Sequence, residues 1–103
     1  MPVKVLITRW IFPEKTLDVL KVLNRLRAQA LEQPGYLGGQ TLWSRKDKRK
    51  LLVISTWTSA EAWQAWQNHP KRSAIEQELG SLLSAPTEYE IFDFGSYPPS
   101  DAG

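Results

Sequence analysis

The run Leu51-Leu52-Val53-Ile54-Ser55-Thr56-Trp57 constrains this chain more than any other segment. Read as a β-strand, it presents Leu51, Val53, Ser55 and Trp57 on one side and Leu52, Ile54 and Thr56 on the other, so both sides are mainly apolar. A strand of that kind needs cover above and below. The flanking segments decide what can supply it.

Val3–Arg9 is rich in β-branched residues, with Val3, Val5 and Ile7 on one face, and reads as a first strand. Pro13 suits a first helical position, and Leu17, Leu20, Leu23, Leu26, Ala30 and Leu31 follow as an apolar stripe that Pro34-Gly35 stops. Tyr36–Lys46 alternates as a second strand, in which Gly38-Gly39 marks a bulge or a close backbone approach. The polar stretch Asp47–Lys50 is short, as a hairpin loop into the strand at 51–57 should be. Thr58-Ser59-Ala60-Glu61 has capping-box spacing and predicts a helix start at Thr58, with Ala62, Trp63, Ala65 and Trp66 on the helix. Pro70 predicts a break near His69, followed by a second helical piece with Ala74, Ile75, Leu79, Leu82 and Leu83 as its stripe. Thr87–Phe94 reads as the last strand, and Gly95–Gly103 as a flexible C-terminal tail.

This order of elements predicts an α+β domain over residues 3–94 with the ferredoxin-like βαββαβ arrangement: an antiparallel four-stranded sheet with its helices on one face. Helices then cover only one side of the strand at 51–57. Its other apolar side predicts a second copy of the chain packed sheet to sheet, a homodimer.

Composition removes several function classes. A chain of 103 residues holds one domain, and the absence of cysteine excludes disulfides and thiol chemistry. His69 is the only histidine, so no metal cluster is expected, and no Gly-rich phosphate loop or nucleophile elbow is present. The formal charge of +2 is too small to demand nucleic acid or an anionic membrane. The one concentrated basic stretch, Arg45–Lys50, falls on the expected hairpin tip. The strand after it lacks, before Trp57, the aromatic platform of RNA-recognition modules with the same element order. No segment approaches the ~20 apolar residues that cross a bilayer, and the N-terminus lacks a signal-peptide pattern, so a soluble cytoplasmic protein is expected.

The candidates for chemistry are few. Trp63 and Trp66 sit three apart on one helix, where they either pack in the core or, with Ala62, roof a pocket. Trp57 and Trp43 read as core or dimer contacts. His69, displaced from the helix by Pro70, is either a solvated loop residue or a proton-transfer group. Arg9 ends the apolar stripe of the first strand, where it either forms a surface ion pair or steadies an anionic enolate or phenolate. Tyr36 either packs or donates a hydrogen bond into the same space.

Pro34-Gly35-Tyr36-Leu37, the stretch from Leu52 through Trp57-Thr58-Ser59-Ala60-Glu61-Ala62-Trp63 to Trp66, His69-Pro70 and the strand at Tyr89 together resemble the antibiotic biosynthesis monooxygenase domain. The likeness covers about residues 3–94. It implies a dimeric α+β barrel of two ferredoxin-like protomers. It also implies an oxygen-dependent activity of one of three kinds: cofactor-independent oxidation of polyketides, oxidation of quinols, or heme degradation. Heme-degrading relatives use a tryptophan that matches Trp66, an asparagine that falls at Thr8 and a histidine that falls at about Glu76. Polyketide-type relatives pair the tryptophan with an asparagine that is Ala62 here, and the histidines of quinol-type relatives, near Trp66 and Lys71, are absent. The resemblance therefore implies a monooxygenase acting with O2 on a small phenolic, quinol or polyketide-like substrate without a cofactor. Trp66, His69 and Arg9 are then its catalytic candidates, and Thr8, Tyr36, Trp63 and Ala62 contact substrate. The alternatives are a non-catalytic barrel that binds a small hydrophobic molecule, and a diverged heme-degrading relative.

Overall fold

A computed structural model of the chain describes residues 1–95. The elements in chain order are β1 (Val3–Trp10), a 3-10 turn at Pro13–Lys15, α1 (Thr16–Leu31), β2 (Tyr36–Trp43), β3 (Lys50–Trp57), α2 (Ala60–Gln67), α3 (Pro70–Gly80) and β4 (Glu88–Asp93). They form one antiparallel four-stranded sheet in the order β2-β3-β1-β4, the ferredoxin-like α+β arrangement. The expected tail after Gly95 lies outside the described residues.

Register explains which side chains meet. Val3, Val5, Ile7 and Arg9 of β1 stand opposite Trp57, Ser55, Val53 and Leu51 of β3, and this face packs beneath the helices. From α1 the core takes Val19, Val22, Leu23, Leu26 and Ala30. The expected stripe was rotated: Leu17 and Leu31 are 75% and 64% exposed. Residues three apart drift by roughly 60° per step around a helix of 3.6 residues per turn, so Leu17 and Leu26 cannot share a face. The buried set follows the alternating three-and-four spacing that an amphipathic helix requires.

Local chemistry corrects two boundaries and one apolar stripe. The helix cap is Ser59, whose hydroxyl accepts from the Ala62 N–H at 3.1 Å, and not Thr58. Thr58 is still tied to the turn before β2, where its N–H donates to the Gly35 carbonyl at 2.8 Å. Strand β2 stops at Trp43 because Ser44 turns the chain, its hydroxyl accepting from the N–H groups of Lys46 and Asp47. Helix α3 ends at Gly80, so the expected Leu82 and Leu83 pack on the core from the segment after it; within α3 the buried residues are Arg72 and Leu79, Ile75 is partly buried, and Ala74 is exposed. The expected break is present: Pro70 opens α3, and His69 caps it by accepting from the Lys71 N–H on Nδ1 at 3.1 Å.

Two glycines do structural work. Gly35 has φ of 87°, and a Cβ there would lie 2.6 Å from Thr58 Oγ1 and 2.7 Å from Ala62 Cβ. The register shift between Tyr36 and Gly38 is the expected bulge, and it brings Gly39 against the Tyr36 hydroxyl.

The outward sheet face carries Leu6, Leu52 and Ile54, half buried, beside Leu42 and Phe92, each 43% exposed. Among the described residues, no helix is long and apolar enough to cross a membrane. Replacing Gly35 by Ala is expected to cost about 2 kcal/mol or more, from left-handed backbone strain and overpacking against Ala62. Urea denaturation, compared with Gly95→Ala, where a Cβ meets nothing within 4 Å, measures it.

Candidate functional site

Between α1 and the inward face of the sheet lies a pocket of about 280 Å³. Its floor is Ile7, Val53, Ser55 and Trp57, its roof Leu20, Leu23 and Leu26, and its deep wall Trp63 and Trp66. Asn24, Arg27, Gln40, Thr41 and Trp43 line it on the exposed side, between α1 and the edge strand β2. The volume sits at the small end of small-molecule sites, ~300–1,000 Å³.

The wall is held by aromatic contacts in series. Tyr36 meets Trp57 edge-on at 5.1 Å between centroids, Trp57 meets Trp63 at 5.8 Å, and Trp63 meets Tyr89 at 6.1 Å. Trp57 Nε1 donates to Ser55 Oγ at 3.0 Å, so the buried indole is satisfied.

Charge enters through two arginines. Arg9, 1% exposed, makes a two-pronged ion pair with Glu76 at 2.8 and 2.9 Å, and also donates to Thr87 at 3.3 Å. Arg72, 5% exposed, reaches the same carboxylate at 2.7 Å and donates to the Tyr89 hydroxyl at 3.0 Å. Its guanidinium lies 5.1 Å from the Trp63 centroid and 5.4 Å from that of Tyr89. Burial pushes the Glu76 carboxyl up, but the hydrogen bonds and charge of Arg9, with the charge of Arg72, outweigh it and hold the group below the usual carboxylate range. Arg9 Nε is buried without a hydrogen-bond partner.

Four expected residues, Trp66, Trp63, Tyr36 and Arg9, line this pocket. Three do not. Thr8 is adjacent to Arg9 on β1 and so projects from the opposite sheet face, across from Leu52. His69 is turned to the cap of α3, with its ring 5.6 Å from that of Trp66. Ala62 packs on Gly35. The ion pair of Arg9 is buried, where the alternative to an anion-steadying role had been a surface pair. Trp43 and Trp57 line the pocket, so neither is confined to core or dimer contact. Arg72 was missed, and so was Glu76 as a counter-charge. The available signal was their spacing of four on one helix, together with the need of an inward-facing Arg9 for a carboxylate.

The family model for antibiotic biosynthesis monooxygenases matches residues 2–78. The chain belongs to the antibiotic biosynthesis monooxygenase family. Over 49 residues it is 45% identical to a heme oxygenase (mycobilin-producing) of Mycobacterium tuberculosis, a match that spans 47% of each protein, about half the length of that relative. A Caulobacter crescentus protein provisionally described as an antibiotic biosynthesis monooxygenase superposes with a TM-score of 0.85 at 21% identity, covering 92% of this chain and 91% of that one. SnoaB, a cofactor-independent oxygenase from Streptomyces nogalater, superposes with a TM-score of 0.81 at 20% identity, covering 92% and 94%. At these identities the structural likenesses describe the fold.

The residues present do not suit heme iron in this pocket. Its lining has no imidazole, thiolate or thioether, the usual nitrogen and sulfur ligands. The Glu76 carboxylate, at about the position that the sequence resemblance implied for a histidine, is engaged by both arginines.

Glu76→Gln is expected to destabilise the fold by about 3 kcal/mol, because it leaves buried arginine charge uncompensated. Since the folded carboxyl titrates below its ordinary 4.5, Glu76 contributes stability above that pH and loses it as pH falls toward the folded value. Urea midpoints of wild type should therefore fall with acidification below about pH 4.5 more steeply than those of Glu76→Gln.

Proposed function

We propose that this member of the family is a monooxygenase that oxidises a small planar phenolic, quinol or polyketide-like substrate with O2 and without a bound cofactor. The observation that carries the reading is the pocket's lining: aromatic and aliphatic walls whose only charged residues are Arg9, Arg27 and Arg72. Such a site favours a flat aromatic ligand in its anionic form, because the positive charge of Arg9 and Arg72 is buried, fixed by Glu76 and the aromatic rings, and needs no reorganisation when negative charge develops.

An ionised phenol or enol is the electron-rich species that reduces O2 by one electron. Recombination of the two radicals forms a carbon–oxygen bond. Loss of water from the resulting peroxide then completes the balance, in which a ring CH2 and O2 become C=O and H2O. On this reading Trp66 and Trp63 hold the ring and exclude water, Arg9 and Arg72 lower the energy of the anion, and Tyr36 contacts the substrate. His69 braces Trp66 from behind. No lining residue is Asp, Glu, His or Lys, so the proton leaves through water at the open side near Asn24 and Gln40.

A second copy of the chain is the proposed cover for the apolar outer face of Leu6, Leu42, Leu52, Ile54 and Phe92, which completes a sheet-to-sheet barrel. In sedimentation equilibrium the wild type should have twice the chain mass, and Ile54→Glu, which places charge at the centre of that face, should shift it to the monomer. A wild-type monomer at micromolar concentration would refute the barrel.

Oxygen uptake with anthrones and hydroquinones tests the activity. Arg72→Gln should lower kcat/KM about 100-fold through lost anion stabilisation, and Trp66→Phe about fivefold through lost ring contact. Uptake with hemin and a reductant alone would point instead to heme chemistry, and no uptake across the panel to a binding barrel.

A further inference from the structure

The charge at the deep end of the pocket restricts the ligand more narrowly than its aromatic walls do. Glu76 offsets only one of the two buried cations there, and it does so from behind, without itself lining the pocket. Both Nη atoms of Arg9 are committed to Glu76, while its Nε is buried with no acceptor. The ion pair of Arg72 with Glu76 and its hydrogen bond to Tyr89 both use Nη2, so neither engages Nε or Nη1. Trp63 and Tyr89 fix the plane of that guanidinium. A buried N–H without an acceptor is destabilising until a ligand supplies one, and this one belongs to a side chain that lines a cavity.

We propose that the substrate is an aromatic carboxylic acid that enters already ionised and docks its carboxylate on Arg9 and Arg72, with its ring against Trp66. A carboxylic acid ionises near pH 4 and needs no base, whereas a phenol, with a pKa of about 10, would reach this pocket neutral. The lining holds no Asp, Glu, His or Lys, so a phenol has to lose its proton to water after it enters, whereas a carboxylate arrives charged. Two carboxylate oxygens also match two guanidinium donors, and the donors of Arg72 can serve a ring oxygen beside the carboxylate as well. With the acid group at the deep end, the far side of the ring faces the exposed side of the pocket at Gln40 and Trp43. The assignment narrows the substrate of the oxidation proposed above and rests on that reading for the fate of the ring, but the docking itself is testable without turnover.

Four tryptophans, Trp43, Trp57, Trp63 and Trp66, line the pocket and report binding by fluorescence. Titrations would compare salicylate with salicylamide, and hydroxynaphthoate with its carboxamide, so that within each pair only the charge differs appreciably. The acid should bind at least about tenfold tighter than the amide in wild type, a preference that added salt weakens. Arg72→Gln should bring the ratio close to one, and Arg72→Lys should keep part of it, with circular dichroism confirming that each variant is folded. The wild-type comparison stands even if a variant does not fold. An amide that binds as tightly as its acid, or neither member of either pair binding up to its solubility, would overturn the proposal. Oxygen uptake is measured separately: tight acid binding without uptake would sink the oxidation and leave the docking, while uptake with neutral aromatics alone would do the reverse.

Discussion

Arg9, Glu76 and Arg72 form the contact around which the rest of this protein is organised. The carboxylate of α3 takes two bonds from a strand arginine and a third contact from an arginine one helical turn away on its own helix. It thereby fastens α3 to the central strand β1. Burying three ionised groups is expensive, and a hydrophobic replacement of similar volume would serve packing at least as well. What the apolar alternative would lack is charge at the end of a pocket. The buried positive excess, with an Nε that no group among the described residues satisfies, ties the stability of the fold to the chemistry of the cavity beside it.

The aromatic series from Tyr36 through Trp57 and Trp63 to Tyr89 depends on that contact. Arg72 lies against both Trp63 and Tyr89, so the carboxylate that positions Arg72 also positions the deep wall. Helix α2 is short and would not hold its rings by itself. Its start is set by Ser59 and by the packing of Ala62 on Gly35, and its end by the N–H groups of Asn68 and His69, which donate to the carbonyls of Gln64 and Trp66 at 3.0 Å each. Trp66 is consequently held at both ends of α2, which is what a rigid wall for a planar ligand requires.

Membership of the antibiotic biosynthesis monooxygenase family accounts for the scaffold, and three positions to which the sequence resemblance drew attention have other parts in this chain. Ala62 is a packing residue, Thr8 lies on the far side of the sheet, and Glu76 is an anchor for arginines. The charged residues that line the pocket are arginines. The proposed preference for ligands that carry negative charge rests on those arginines.

Element order was legible in the sequence because period-two and period-four apolar spacing, Pro34-Gly35 and Pro70 act locally, each through the backbone of its own neighbourhood. The apolar run at 51–57 was legible as β3 for the same reason, whereas its place between β2 and β1 was not. Trp66, Trp63, Tyr36 and Arg9 could be named because they lie on faces that a strand or helix period defines. Local rules could not show that Arg72 and Glu76 meet Arg9, since those residues are 63 and 67 positions away along the chain and become neighbours only when α3 crosses β1. Nor could they separate Thr8 from the pocket until the inward side of β1 was known, or turn His69 away from it before its Nδ1 was committed to the helix cap. The sequence determined the elements and their apolar faces, because those follow from short-range geometry. Only the tertiary structure decided which charges share the pocket, because long-range electrostatics acts between groups that the chain itself does not bring together.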